Sequence, residues 1–435
     1  MGIAARLPRP TNAGVALAHD ISDSPRDDLV ARRAFVVALG FFAVVAVLGS
    51  LLRWSMIRPI PGFEYGHWLH AHSHTAFLGF VFNAFFAFAL ARFVPVEERP
   101  AYRKLFVVLV VAVLGMLVTF PIQGYGPASI AFSTLHMVAT GVFAWRLWRR
   151  NLAAPGARCH LRVALACLVL SGIGPLALGP LAALGLRDTP AYALCIYFYL
   201  HAQYNGWFLF FIQALLLQPS AGQDASVRET RLARAACRWL GAGVVLTLAQ
   251  STLWLGPPAW VYVVAGLGGV AQLVGFGIFL RGLAARRTEG CVFAGSIPTT
   301  ARWLLRLALT AWGLKLVLQM AAVAPDLDVL VNHRFMVIAF LHLVFLGVVS
   351  PVILALGFTA GWLRDTRVMS LAVGVFFVAA AVSEVVLVAL ALGWESPVSL
   401  PWLLFAPTAF MAASAPFFFV VGASSRASAH PRLSP

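Results

Sequence analysis

Histidines at the start of the second apolar segment are the residues of this chain best suited to chemistry. Four of them lie within a short stretch: His67, His70, His72 and His74. A histidine in the hydrocarbon of a membrane is costly unless it has a partner. His201 and His342 also lie inside long apolar segments, far away in sequence. Imidazoles that converge inside a membrane protein indicate a metal ion or a heme.

The composition predicts an all-α, polytopic membrane protein. Of the 435 residues, 61% are hydrophobic and only 11% are charged, which excludes an ordinary soluble domain. A helix needs about 20 apolar residues to cross a bilayer. Twelve such runs are predicted, between a short tail at 1–33 and another at 423–435, in a transmembrane domain at 34–422: 34–52, 72–93, 103–121, 126–146, 160–183, 190–217, 237–254, 259–280, 303–324, 333–357, 368–393 and 400–422.

Arginines and lysines between the spans predict the orientation, because such residues concentrate in cytoplasmic loops. They recur in the N-terminal segment and after spans two, four, six, eight and ten, which predicts a protein of the inner (cytoplasmic) membrane with both termini in the cytoplasm. The opposite loops are poor in cations, apart from Arg53, Arg58, Arg187 and Arg334. The net charge of +16 is then explained by topology and contact with anionic lipid, and nucleic-acid binding is not expected.

Helical spacing divides the first histidine cluster between two faces. Residues three and four apart share a face, so His67, His70 and His74 form one stripe while His72 points elsewhere. Span two is expected to begin at the outer surface, which makes His74 the deepest of the stripe and the best candidate for a buried ligand. His67 and His70, nearer the mouth, are candidates for a copper or zinc site, or for interfacial residues bonded to water and lipid. In a protein that handles metal, His72 is a further candidate ligand at this mouth.

His342 in span ten is the natural partner for such a ligand. It lies nine residues after His333, roughly 13 Å deeper if the rise is 1.5 Å per residue, at a depth similar to that of His74. Two neutral imidazoles that face each other across a gap can clamp a heme iron. The alternative for His342 alone is a hydrogen bond between helices.

Span six contains too many polar groups for a helix that faces lipid. His201, Gln203, Tyr204 and Asn205 lie together in its middle and are expected to face a cavity or the bundle interior. His201 is therefore a candidate metal ligand or gas-pocket residue, with a polar packing seam as the alternative. Lys315 and Glu384, also near mid-membrane by count, are candidates for an ion pair, a proton route or a heme-propionate contact.

Three local motifs and the helix count resemble the catalytic subunit of the heme-copper oxidase superfamily. His74-Thr75 looks like the helix-two ligand motif of its nitric oxide reductase and high-affinity oxidase branches. His342, followed five residues later by Gly347, resembles the second histidine of the family's helix-ten His-x-His motif. His201 falls on helix six, where the family places the first histidine of its copper or non-heme iron site. The resemblance implies a b-type heme held by His74 and His342, with copper or iron near His201.

Departures from that family narrow the expected function. Phe340 stands where the family has the histidine of the high-spin heme, and span seven contains no histidine for the second metal. The resemblance therefore implies electron transfer through a bis-histidine heme, with the electrons supplied by a donor protein or quinol. A further option is redox chemistry on oxygen or nitric oxide at an incomplete second metal site.

A second family gives the alternative. His70-Ala71-His72 is similar to the early helix-two motif of the NnrS family, heme- and copper-containing membrane proteins linked to nitric oxide metabolism, although Ser73 and His74 depart from its pattern. It implies a non-catalytic protein that handles heme or copper, responds to nitric oxide, or transports a solute. The five cysteines show no metal-ligand spacing and are expected to be apolar helix residues. No internal repeat is evident from the sequence.

Overall fold

The structure is a computed structural model that describes residues 29–219, 225–286, 297–324, 327, 330, 333–394 and 400–424. Most of both predicted tails lies outside the described residues. The first helix begins at Leu29, inside the predicted N-terminal tail, and the last helix continues to Ser424. These ends differ from the predicted boundaries by only a few residues.

The predicted all-helical membrane fold is confirmed. Among the described residues, eleven helices are long and apolar enough to cross a membrane. The remaining predicted span, 190–217, is a continuous helical run whose polar middle makes it less apolar than the others. The helices in chain order are α1 Leu29–Trp54, α2 Tyr65–Phe93, α3 Val96–Gln123, α4 Pro127–Arg150, α5 Pro155–Ala183, α6 190–217, α7 Val227–Leu255, α8 Ala259–Arg286, α9 Thr299–Ala321, α10 Arg334–Thr359, α11 Arg367–Ala391 and α12 Leu400–Ser424.

Burial distinguishes central from peripheral helices. In the most apolar part of α2, 78% of the residues are buried, against 28% in α3. The helix α2 therefore lies in the bundle interior, and α3 presents most of its surface to lipid. Rings of α2, α6 and α10 meet in the core, where Phe77 lies 5.4 Å from Phe208 and 5.9 Å from Phe345 between ring centroids. Such aromatic contacts add to the stability gained by burying apolar area.

The three central helices share a local design that the sequence did not reveal. In each, a histidine is followed at once by a seven-residue π-helical segment, a feature often found at functional sites. These segments are Thr75–Val81 after His74, Ala202–Phe208 after His201, and Leu343–Val349 after His342.

A glycine five residues after each of these histidines completes the motif. It lets the preceding helix approach closely, because a Cβ at that position would clash with a neighbouring side chain. The clashes would be between Gly79 and Phe41 of α1, Gly206 and Cys167 of α5, and Gly347 and Ala311 of α9. The motif therefore recurs at every fourth helix, in α2, α6 and α10, a regularity that was not evident from the sequence.

A disulfide links α5 to α7. Cys159 and Cys237 are bonded, with their Cα atoms 6.3 Å apart, while Cys167 and Cys195 are free. The fifth cysteine, Cys291, lies outside the described residues. Two of the cysteines expected to be apolar helix residues therefore form a covalent link between helices. Their separation of 78 residues gives no sequence signal for pairing.

Candidate functional site

Each histidine of the repeated motif faces the helix that follows its own. The His74 ring lies 4.4 Å from the Phe120 ring of α3, between centroids. His201 Nε2 lies 2.8 Å from the backbone carbonyl oxygen of Val244 in α7. His342 Nδ1 lies 3.2 Å from a carboxylate oxygen of Glu384 in α11. Because His74 is turned toward α3, the face of α2 that meets α10 must be formed by other residues.

The surroundings of His74 are aromatic. Its Nδ1 donates to the carbonyl oxygen of His70 at 3.0 Å, and Tyr125, in the turn between α3 and α4, packs its ring 4.5 Å from the His70 ring. Burial raises the pKa of Tyr125 to about 12, so the phenol stays protonated at neutral pH. His70 and His74 thus belong to a pocket between α2, α3 and α4.

His72, on another face of α2, lies within electrostatic range of His342. Its Nδ1 donates to the carbonyl oxygen of Val45 in α1 at 3.1 Å, and its ring packs against Gly49. A backbone carbonyl oxygen only accepts, and so does the Glu384 side chain in its carboxylate form, so the neutral imidazoles of His72 and His342 then carry their proton on Nδ1. The lone pair of each Nε2 is then available to a metal, the arrangement typical of ligating histidines.

A buried arginine adjoins this histidine pair. Arg53, at the C-terminal end of α1, is only 8% exposed and has no hydrogen bond or ion pair with the described residues. It lies within electrostatic range of His72, Arg334 and Glu384. Arg334 stacks over the Tyr65 ring, with its guanidinium carbon 5.6 Å from the centroid. A buried guanidinium without an ion-pair partner is costly, which indicates that this site accommodates an anionic group.

These residues fit a b-type heme. The two available imidazole nitrogens suit its iron, and the unpaired Arg53 suits its carboxylates. Toward the bundle interior, the Phe42 ring contacts the rings of Phe80 and Phe376, with centroids 4.3 Å and 4.9 Å apart. This apolar layer is drawn from α1, α2 and α11, and Phe42 lies three residues before Val45, the acceptor of the His72 proton, along α1.

The region around His201 is built differently. His201 Nε2 donates to the carbonyl oxygen of Val244, and Asn205 Nδ2 donates to His201 Nδ1 at 3.3 Å, so both ring nitrogens are already bonded. Lys315 of α9 is fully buried and donates to the amide oxygens of Asn205 and Gln319. Gln319 in turn donates to the Gln250 amide oxygen at 2.8 Å.

A second metal does not fit these residues. His201 has no free lone pair in this arrangement, and Lys315 donates hydrogen bonds into the same polar network. No group of three or more His, Cys, Asp or Glu residues suited to a metal occurs in the part of the chain that the structure describes. His70 and His72, the other candidate metal ligands, lie on different faces of α2 with separate neighbours.

Lys315 and Glu384, whose pairing the sequence left open, do not contact each other. Each has its own partners, two amide oxygens for Lys315 and the His342 imidazole for Glu384. The sequence also gave no role to Arg53, although a signal was present. Arg53 and Arg334 are among the few arginines at the end of the bundle where cations are not expected, and both adjoin the histidine pair.

Comparison with known proteins identifies the fold. No protein-family model matches the chain, and no curated protein sequence does. The chain is similar to the cryo-EM structure of a heme-copper terminal oxidase dimer, with a TM-score of 0.67 and 13% sequence identity. The match covers 95% of this chain and 86% of that one. The chain therefore has the fold of a heme-copper terminal oxidase, as the sequence resemblance implied.

Proposed function

We propose that this membrane protein binds a b-type heme between His72 and His342 and transfers electrons through it. The observation that carries the proposal is the pair itself. Two imidazoles from α2 and α10 lie within electrostatic range of each other, and each has Nδ1 bonded and Nε2 available. The bound heme would supply reversible one-electron oxidation and reduction of its iron.

The residues of the chain fix the ligands and match the charge of the heme. Val45 and Glu384 hold the two imidazoles in the tautomer that presents Nε2. Arg53 and Arg334 supply positive charge for the two carboxylates, which removes the cost of burying Arg53 alone. The Phe42, Phe80 and Phe376 layer excludes water from the inner side of the site, which favours the less charged ferrous form of a heme.

This proposal replaces one predicted ligand. The sequence favoured His74 with His342, whereas the contacts of the two histidines favour His72 over His74 as the partner of His342. The proposed function is electron transfer without reduction of oxygen or nitric oxide, because the residues around His201 do not fit a second metal. In this proposal the protein lies in the cytoplasmic membrane with both termini in the cytoplasm. A donor protein or a quinol supplies the electrons.

Optical spectroscopy of the detergent-purified protein tests this function. We expect a reduced-minus-oxidised spectrum of a low-spin bis-histidine heme, about one heme b per chain by pyridine hemochrome assay, and little copper by metal analysis. Two hemes with a stoichiometric second metal would contradict electron transfer as the only activity. A protein without heme would favour the handling or transport alternatives.

A further inference from the structure

The two proposed heme ligands differ in what accepts their Nδ1 proton. His72 donates to a neutral backbone carbonyl at 3.1 Å, whereas His342 donates to the Glu384 side chain at 3.2 Å. A carboxylate is a stronger acceptor than a carbonyl because it carries a full negative charge. The site is therefore asymmetric: α2 contributes an ordinary imidazole, and α10 contributes one that is polarised by a charge.

Among the described residues, the His342 imidazole is the group in direct contact with the Glu384 carboxyl group. A carboxylate inside a membrane helix is costly, and such residues usually mark functional sites. Lys315 is bonded to amide oxygens of α6 and α9 and does not contact Glu384. Arg53, which belongs to the same site, lies within electrostatic range of Glu384. The direct contact of Glu384 is therefore with His342, one member of the histidine pair.

We infer that Glu384 is a positioning residue that lowers the redox potential of the heme through His342. This inference rests on the proposed function. By drawing the Nδ1 proton toward itself, the carboxylate increases the electron density at Nε2 and makes His342 a stronger donor to iron. A stronger donor and a nearby negative charge both stabilise the ferric form more than the ferrous form. The potential is then lower than it would be with two neutral acceptors.

Potentiometric titration of matched variants tests the inference. The variant Glu384→Gln keeps the shape and an amide oxygen acceptor but removes the charge, so the heme potential is expected to rise. The control is Glu64→Gln, which removes a carboxylate just before α2, at an exposed position without a side-chain cap bond to that helix. It is expected to leave the potential unchanged. The near-infrared charge-transfer band and EPR g values of the ferric heme should shift in Glu384→Gln only, because they report donor strength at the iron.

A second variant keeps the inference falsifiable if Glu384→Gln does not fold. Glu384→Asp retains the charge but withdraws it by one methylene, so its potential should lie between those of the wild type and Glu384→Gln. Potentials and ferric spectra equal to the wild type in every folded Glu384 variant would overturn the inference and leave heme binding intact. A wild-type protein without heme would instead overturn the proposed function, and this inference with it.

Discussion

Two histidine-bearing regions of this molecule present opposite chemistry. At the α2 and α10 pair, each imidazole has one nitrogen bonded to the protein and the other available. At α6, both nitrogens of His201 are bonded to the protein. Between these two regions, the number of imidazole nitrogens already bonded to the protein distinguishes the candidate ligands His72 and His342 from His201.

The buried cations of the two regions also differ in their bonding. Among the described residues, Arg53 is buried beside the first region without a hydrogen bond or ion pair and with Glu384 within electrostatic range, so that region can accept a further anionic group. Lys315 is buried in the second region but donates to two amide oxygens, so that region is complete by itself. The region of His72 and His342 can therefore bind an additional anionic group, whereas the polar groups around His201 are already bonded to one another.

Removal of either proposed ligand should have the largest effect on this comparison. His72→Ala and His342→Ala are each expected to lose nearly all bound heme, because a single remaining imidazole leaves the iron without its second axial ligand. Heme content per chain, measured on purified protein with unchanged helix content, checks this. His74→Ala is the matched control and should keep its heme. Loss of heme from His74→Ala with retention in His72→Ala would restore the pair predicted from sequence.

Arg53→Ala should weaken heme binding without abolishing it. A charge-assisted hydrogen bond contributes about 1.5–3 kcal/mol, so affinity is expected to fall roughly 10- to 100-fold. Competition with a heme-binding apoprotein measures this change, and Arg53→Lys should recover part of the loss. Arg58, exposed and five residues further along the chain, provides the control. An equal loss in Arg58→Ala would show that only general surface charge is involved.

His201→Ala should affect stability and leave cofactor content unchanged. It removes one acceptor and one donor from a largely buried network, which costs about 1–3 kcal/mol of the free energy of unfolding. Thermal unfolding with parallel heme and metal analysis tests both parts. Loss of a stoichiometric copper or iron ion in this variant would contradict the contrast between the two regions.

The smallest expected effect on stability concerns Asp365. This residue links α9, which carries Lys315, to α11, which carries Glu384, through hydrogen bonds. Its carboxylate accepts hydrogen bonds from Thr300 of α9 at 2.6 Å and Ser370 of α11 at 3.0 Å. Burial raises the pKa of Asp365, but these bonds lower it further, so the net pKa is below its ordinary value. The stabilisation is therefore present above about pH 3.9 and is lost as the pH falls through the lower pKa of the folded state.

Asp365→Asn should remove that dependence on pH. Because Asp365 is exposed, the expected loss at neutral pH is below about 1 kcal/mol. Unfolding temperatures of the wild type and the variant should converge as the pH is lowered toward 3. A constant difference between them across that range would show that the charge of Asp365 is not what stabilises the contact.

The sequence predicted the membrane spans well because a helix in lipid must satisfy its backbone internally, which makes long apolar runs easy to recognise. It could not choose between His72 and His74, since helical spacing separates the faces of α2 but does not say which face meets α10. Arg53 could be recognised in the sequence as an exception to the concentration of cations in cytoplasmic loops. Its role could not be predicted, because the sequence does not show which residues surround it. The disulfide between Cys159 and Cys237 depends on contact between α5 and α7, which spacing along the chain does not encode.

The π-helical segments separate each central helix into two independently phased halves. In α2, the amide of Phe82 donates to the carbonyl oxygen of Phe77, five residues back instead of four. One extra residue in a turn rotates everything beyond it by about 100° relative to an uninterrupted α-helix. A deletion of one residue within Thr75–Val81 would therefore turn the aromatic half of α2 away from its neighbours while His72 kept its direction. The register of the histidines and the register of the core can thus change separately.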